Sequence, residues 1–221
     1  MSGPNGPIGL VLFDLDGTLV DTAPDLLRAV NRLRADRDEP ALSLAALRPH
    51  VSHGAGAMIE HGLGVGRDDP AFDALRLQLL DLYRADITSE STLFEGMPEL
   101  LETLERRGTG WGVVTNKPGR LTDPLLVALG LHTRACCAIS GDTLPRAKPH
   151  PDPILAACAR AGCAPHTSLY VGDAERDIEA GRRAGARTLV ARFGYIGPDD
   201  RPETWGADGI IDHPHEVLAW V

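Results

Sequence analysis

The sequence predicts an α/β fold, in which a doubly wound, Rossmann-like parallel sheet carries an inserted α-helical domain. Three observations support this prediction. Short apolar runs alternate with helical patterns along most of the chain, polar clusters follow several of these runs, and one long segment near the N-terminus has helical patterns but no convincing strand. Alternation of strands and helices implies right-handed crossovers between parallel strands.

The first predicted strand is the apolar run from Ile8 to Phe13. It is nearly continuous, as expected of a strand buried on both faces of a parallel sheet. Apolar runs and helical spacing of leucine and alanine place the remaining elements. They predict strands at residues 110–114, 135–140, 168–171, 187–191 and 209–211, and helices at 98–107, 121–129, 153–161 and 174–184.

The segment between residues 21 and 94 interrupts the alternation. Residues 23–35 and 72–85 have apolar side chains at helical spacing. The glycine-rich stretch at residues 62–66 lacks the Lys-Ser/Thr of a phosphate-binding loop, so we interpret it as a plain loop. The prediction is a catalytic core formed by residues 1–20 and 95–221, with a helical domain at 21–94.

Composition restricts the partners. The chain has 221 residues and a net charge of -9, which disfavours binding to nucleic acid or to an anionic membrane. No apolar run is long enough to cross a bilayer, and the opening residues MSGPNGPIG resemble a short tail rather than a signal peptide. We expect a cytoplasmic monomer or homodimer that acts on a small molecule, with four reduced cysteines: Cys136, Cys137, Cys158 and Cys163.

Polar residues follow the predicted strands at four points. Asp14 and Asp16 come after the first strand, where Gly17 allows the chain to turn. The other three positions are Thr115, Lys148, and Asp173 with Asp177. The carboxyl ends of parallel strands meet at one edge, where open α/β sheets bind ligands. One carboxylate can attack a substrate while another transfers protons.

Four aspartates in one pocket would repel one another and raise at least one pKa. Lys148 and a hard dication with oxygen ligands would offset that charge. Mg²⁺ suits such a site because it binds a few carboxylates and bridges them to phosphate. The residues therefore predict a Mg²⁺ cofactor.

The ordered set Asp-x-Asp-Gly-Thr, Thr115, Lys-Pro and Gly-Asp-x-x-x-Asp resembles the four motifs of the haloacid dehalogenase superfamily over essentially the whole chain. The helical insert is similar to that superfamily's cap. The resemblance implies that Asp14 is the nucleophile, that Asp16 is the general acid and base, and that Asp177 is a metal ligand or supports one. Substrate binding is assigned to Thr115, Asn116, Lys148, Ser52 and His53, and metal binding to Asp14, Asp16 through its backbone carbonyl, Asp173 and Asp177. A helix-terminal acid favoured by the dipole is the alternative reading of Asp177.

Other enzymes share this set of motifs. The second carboxylate, Asp16, argues against a dehalogenase, and the absence of lysine from residues 21–94 argues against a phosphonatase. A phosphosugar mutase keeps all four motifs and stays open as an alternative. A non-catalytic regulatory module is the third hypothesis. Loss of Asp14, Asp16 or Lys148 would have supported it, but the sequence retains all three.

Within the superfamily the chain is similar to phosphoglycolate phosphatases and, in more detail, to N-acetylmuramic acid 6-phosphate phosphatases. The resemblance rests on residues 13–22, 93–97, 111–118, 193–196 and 205–208. Residues 50–54 are small or neutral and polar, and we expect most arginines of the helical insert to be solvated. Those arginines are Arg28, Arg32, Arg34, Arg37, Arg48, Arg67, Arg76 and Arg84. We therefore predict that a hydroxyl-rich sugar 6-phosphate with a lactyl group is turned over at least as efficiently as compact phosphoglycolate.

Overall fold

A computed structural model describes residues 7–221 of the chain. Most of the predicted N-terminal tail therefore lies outside the described residues. The described part contains a six-stranded parallel sheet in the order β5-β4-β1-β6-β7-β8. Its strands are β1 (Leu10–Phe13), β4 (Gly110–Val114), β5 (Ala138–Ile139), β6 (Ser168–Gly172), β7 (Arg187–Ala191) and β8 (Gly209–Ile211). The predicted α/β sheet is confirmed.

Helices cover both faces of this sheet. Residues Val11 and Phe13 of β1 pack into one apolar cluster, whereas Leu10 and Leu12 pack into another. Successive side chains of a strand point to opposite faces, so both faces of β1 are buried. The helices of this region are α5 (Met97–Arg106), α6 (Gly119–Ala128), α7 (Asp152–Ala161) and α8 (Glu175–Ala184).

Four further helices lie between two short antiparallel strands, β2 (Val20–Asp21) and β3 (Thr92–Leu93). This pair is absent from the sequence prediction, because two residues are too few to produce an alternating pattern. The helices pack against one another, with contacts of α1 with α2, α3 and α4 and of α3 with α2 and α4. They are α1 (Ala23–Ala35), α2 (Leu44–Val51), α3 (Gly54–Leu63) and α4 (Phe72–Ala85).

Sequence patterns located α1 and α4 but missed α2 and α3. Helix α2 contains Pro49, and α3 contains glycines in its first turn, both of which are poor helix formers. The loop prediction for residues 62–66 is wrong at its start, since α3 continues to Leu63 and ends at Gly64 with φ of 66°. Gly64 has the left-handed conformation that commonly ends a helix.

Strand β5 is also shorter than predicted, since it spans Ala138–Ile139 rather than residues 135–140. It lies at the edge of the described sheet and, among residues 7–221, pairs with β4 alone. Within residues 7–221, no helix has both the length and the apolar character that crossing a membrane requires.

Candidate active site

Asp14 follows the last residue of β1, in the centre of the sheet. Its backbone N–H donates to the carbonyl of Val171 on β6, and its side chain is buried. The chain turns at Gly17, where φ is 86°, and a Cβ atom there would lie 2.3 Å from Oδ2 of Asp173. Glycine is therefore required for a close approach between the first strand and the Asp173 carboxylate.

Lys148 lies at the centre of a buried polar network. Its Nζ atom is 2.8 Å from Oδ1 of Asp14 and 2.8 Å from Oδ1 of Asp177. It also donates to the Val114 carbonyl and to the Tyr170 hydroxyl. Burial alone would lower the pKa of Lys148, but the two carboxylates outweigh it and raise that pKa above its usual value. The ammonium therefore stays charged in the interior.

These two carboxylates, with that of Asp173, form an acidic cluster. One oxygen from each of Asp14, Asp173 and Asp177 lies within 4.8 Å of the others. Burial raises the pKa of Asp14 to about 6, against the charge of Lys148. Burial, with repulsion from Asp14 and Asp177, raises the pKa of Asp173 to about 7. One lysine does not balance the charge of three carboxylates. Carboxylate oxygens are also among the ligands that Mg²⁺ binds.

Asp177 makes a contact at the start of a helix and also lies in the acidic cluster. Its Oδ2 atom accepts from the backbone N–H of Ala174, 3.0 Å away, at the start of α8. Its Oδ1 atom faces Lys148, and the residue is completely buried. The helix-terminal contact uses one oxygen, so the other remains part of the acidic cluster.

Asp16 points away from that cluster, towards a second lysine. Its Oδ1 atom accepts from Lys117 Nζ at 2.9 Å and from the Thr22 hydroxyl at 2.5 Å. Burial would lower the pKa of Lys117, but the charge of Asp16 and then Tyr83 raise it to about 12. The side chain of Asp16 is thus held in place by a permanent cation.

Thr115 and Asn116 follow β4. The Thr115 hydroxyl accepts from the backbone N–H of Lys117, so its own proton remains available to a ligand. The Asn116 side chain donates to the carbonyl of Lys148 and accepts from its backbone N–H, each at 3.0 Å. Asn116 therefore fixes the backbone of Lys148.

A cavity of about 240 Å³ connects these groups with helices α1 to α4. Its floor includes Asp14, Asp16, Thr115, Asn116 and Lys117. The opposite wall is largely apolar, with Leu26, Val51, Met58 and Leu80 among its side chains. Such an apolar enclosure with a few convergent polar groups is the usual form of a small-molecule site.

The two predicted substrate contacts from the helical segment have different positions. Ser52 lines the cavity, and its hydroxyl donates to Oδ2 of Asp173 at 2.8 Å. His53 lines a neighbouring cleft together with Asp173, Glu175 and Asp200, and it does not line the cavity that contains Asp14.

Among residues 7–221, four polar residues that line the cavity were not predicted from the sequence: Arg76, Tyr83, Lys117 and Arg176. The expectation that most arginines of the helical insert are solvated therefore does not hold for Arg76. Arg76 and Tyr83 lie seven residues apart on α4, on the same face as Leu80. The seven-residue spacing could have placed Arg76 and Tyr83 on one face of the helix. The prediction of this helix used only its apolar residues, so the two polar side chains were not considered together. Arg176 follows the Gly172-Asp173 motif and donates to the carbonyl of Ser52.

The description "Haloacid dehalogenase-like hydrolase" belongs to the family model that matches residues 11–191. The chain belongs to this family. A Pseudomonas putida protein named N-acetylmuramic acid 6-phosphate phosphatase is 45% identical over 207 residues, which is 94% of this chain and 93% of that protein. A Xanthomonas campestris protein named phosphoglycolate phosphatase is 44% identical over 213 residues, 95% of this chain and 96% of its own length.

A crystal structure of a predicted phosphoglycolate phosphatase from Haemophilus somnus superposes with a TM-score of 0.83 and 29% identity. The superposition covers 96% of this chain and 97% of the Haemophilus somnus chain. These relatives confirm the enzyme class predicted from the sequence, a phosphoric monoester hydrolase.

Proposed function

We propose that this protein is a Mg²⁺-dependent phosphomonoesterase that acts through an aspartyl phosphate formed on Asp14. The observation that supports this best is the buried Asp14–Lys148 pair at the floor of the cavity, where two further carboxylates complete an acidic cluster. A carboxylate nucleophile needs such a pocket, in which a fixed cation offsets the charge of the approaching phosphoryl group.

The first step forms a bond between Asp14 and phosphorus. Oδ1 of Asp14 is held by the Leu15 N–H and by Lys148, each at 2.8 Å, which leaves Oδ2 to attack. The bond from phosphorus to the leaving oxygen breaks, and Asp16 donates a proton to that oxygen. In the second step Asp16 removes a proton from water, which attacks phosphorus and releases phosphate and free Asp14.

Phosphoryl oxygens are held by groups around Asp14. The Thr115 hydroxyl has a proton to donate, and Lys148 supplies a positive charge. Asn116 contributes by fixing the Lys148 backbone. These interactions strengthen as negative charge develops on the transferring group, so they favour the transition state over the bound substrate.

The acidic cluster fits Mg²⁺. Its donors would be the carboxylates of Asp14, Asp173 and Asp177 and the backbone carbonyl of Asp16. The raised pKa values of Asp14 and Asp173 support this assignment, because a bound cation would favour their ionised forms. When bound, the ion would neutralise charge on the phosphoryl oxygens.

Residues 21–94 act in this proposal as a cap that covers the leaving group. The contact of Ser52 with Asp173 and the contact of Arg176 with Ser52 join this segment to the catalytic loops. Leu26, Val51 and Met58 close the cavity above Asp14. Such closure excludes water and completes the site.

Cavity size favours the larger of the two substrates named for the relatives. The cavity of about 240 Å³ is lined by side chains of the helical segment as well as by Asp14 and Asp16, so it has room beyond the phosphoryl group. Glycolate would contact few of these side chains, whereas a sugar with acetamido and lactyl groups would contact more of them. We infer that N-acetylmuramic acid 6-phosphate is turned over at least as efficiently as 2-phosphoglycolate.

The test is a phosphate-release assay of both compounds with Mg²⁺, compared by kcat/KM. Asp14→Asn is the control and should release no phosphate from either. A hundredfold preference for phosphoglycolate, about 2.7 kcal/mol, would contradict the substrate assignment. Product analysis separates hydrolysis, which yields free phosphate, from a mutase reaction, which yields an isomerised sugar phosphate.

A further inference from the structure

Three cationic side chains line the cavity: Lys117, Arg176 and Arg76. Two of them are already engaged. Lys117 is paired with Asp16 at 2.9 Å. Arg176 donates to the Ser52 carbonyl, and its charge acts on Asp14, whose pKa it lowers against the effect of burial. Arg176 therefore lies at the phosphoryl end of the cavity.

Arg76 lines the cavity from α4. Its Nε atom is 3.4 Å from Oδ1 of Asp73, one turn earlier on the same helix, and the side chain of Asp73 is 83% exposed. Within residues 7–221, the two terminal guanidinium nitrogens of Arg76 have no acidic partner. An exposed pair of this kind is weak and is easily exchanged for another carboxylate.

Tyr83 lies two turns further along the same face of α4. Its side chain is fully buried, and among the described residues its hydroxyl has no hydrogen-bond partner. Buried hydroxyls are normally paired, so an orphan donor on a cavity wall indicates that a ligand supplies the acceptor. Arg76 and Tyr83 thus give the apolar wall two polar contacts for the leaving group.

We propose that Arg76 is the specificity-determining residue for a carboxylate on the leaving group of the phosphomonoester. A guanidinium binds a carboxylate through two parallel hydrogen bonds, which no other free group of the wall can provide. The substrate class is then a phosphate ester with negative charge at both ends: the phosphoryl group lies against Asp14 and Lys148, and the carboxylate lies against α4. This inference rests on the proposed phosphatase function.

The experiment compares two substrates that differ in one substituent, a lactyl ether that carries the carboxylate. N-acetylmuramic acid 6-phosphate has a lactyl ether that N-acetylglucosamine 6-phosphate lacks. Arg76→Gln should lower kcat/KM for the first by about 10- to 100-fold, the loss expected for a charge-assisted hydrogen-bonded pair. It should change kcat/KM for the second by less than about threefold, because that sugar has no group for Arg76 to bind.

Arg84→Gln is the matched control, since Arg84 belongs to the same helix and is exposed outside the cavity. It should leave both substrates within about twofold of the parent protein, as expected for a surface change. Thermal melting of both variants checks that the fold is retained. Equal losses on the two sugars with Arg76→Gln would overturn the proposal, whereas absence of turnover of every phosphate ester by the parent protein would overturn the proposed function itself.

Discussion

At the scale of single residues, the site depends on a buried lysine and the carboxylates that it contacts. Lys148 is the group on which the arrangement depends, because it contacts Asp14 and Asp177 while its own side chain is completely buried. A buried charge without partners is costly, so the lysine and its carboxylates stabilise one another only as a set. The same set fixes the orientation of Asp14 before substrate arrives.

The second carboxylate can be tested through its leaving group. Asp16→Asn should impair hydrolysis of an alkyl phosphate far more than the first step on an activated aryl phosphate, which needs little protonation. The comparison uses pre-steady-state release of the two alcohols by parent and variant. Equal losses on both substrates would count against Asp16 as the general acid.

At the scale of elements, the connection between helix α1 and strand β3 holds the helical segment in place. Asp25, in the first turn of α1, is completely buried. It accepts from the backbone N–H groups of Glu90 and Ser91 and from the Ser91 hydroxyl, and it pairs with Arg28. One carboxylate therefore connects the start of the helical segment to its end.

Asp25→Ala should lower the free energy of unfolding by about 3 kcal/mol, because it leaves several buried donors without an acceptor. Asp36→Ala is the control at the other end of the same helix, where an exposed pair with Arg32 contributes about 0.5 kcal/mol or less. Urea denaturation measures both. Similar losses of unfolding free energy in the two variants would show that the buried contacts of Asp25 do not stabilise the helical segment.

Sequence patterns predicted elements that repeat a simple period and missed those that do not. Strands β4, β7 and β8 and helices α1 and α4 have the predicted bounds, since their apolar spacing is regular. Helices α2 and α3 lack that regularity. Asp14, Lys148, Asp173 and Asp177 lie together as the strand-end argument predicted.

The cap side of the site was less predictable. Which face of α4 meets the cavity depends on how four helices pack, and a single sequence does not specify that packing. Ser52 reaches Asp173, whereas the next residue, His53, lies in a separate cleft. Arg76 was assigned to solvent because its pattern resembles that of any charged surface residue.

At the scale of the whole molecule, the sheet brings strand ends from distant parts of the chain to one edge, and the acidic cluster they form is the proposed Mg²⁺ site. Mg²⁺ should support activity, and Ca²⁺ should give less than about a tenth of that rate, because Ca²⁺ takes more ligands at longer distances. A chelator should abolish phosphate release, and added Mg²⁺ should restore it. Full activity in Ca²⁺ or in the chelator would refute the metal assignment.

The central claim is that Asp14 becomes phosphorylated, and direct trapping tests it. In Asp16→Asn an activated aryl phosphate should still phosphorylate Asp14, whereas water would no longer be activated to remove the phosphoryl group. Acid quenching followed by peptide mass spectrometry should then find the phosphoryl group on Asp14, and the double variant Asp14→Asn/Asp16→Asn should yield no phosphopeptide. A phosphoryl group on any other residue, or phosphopeptide from the double variant, would contradict the account.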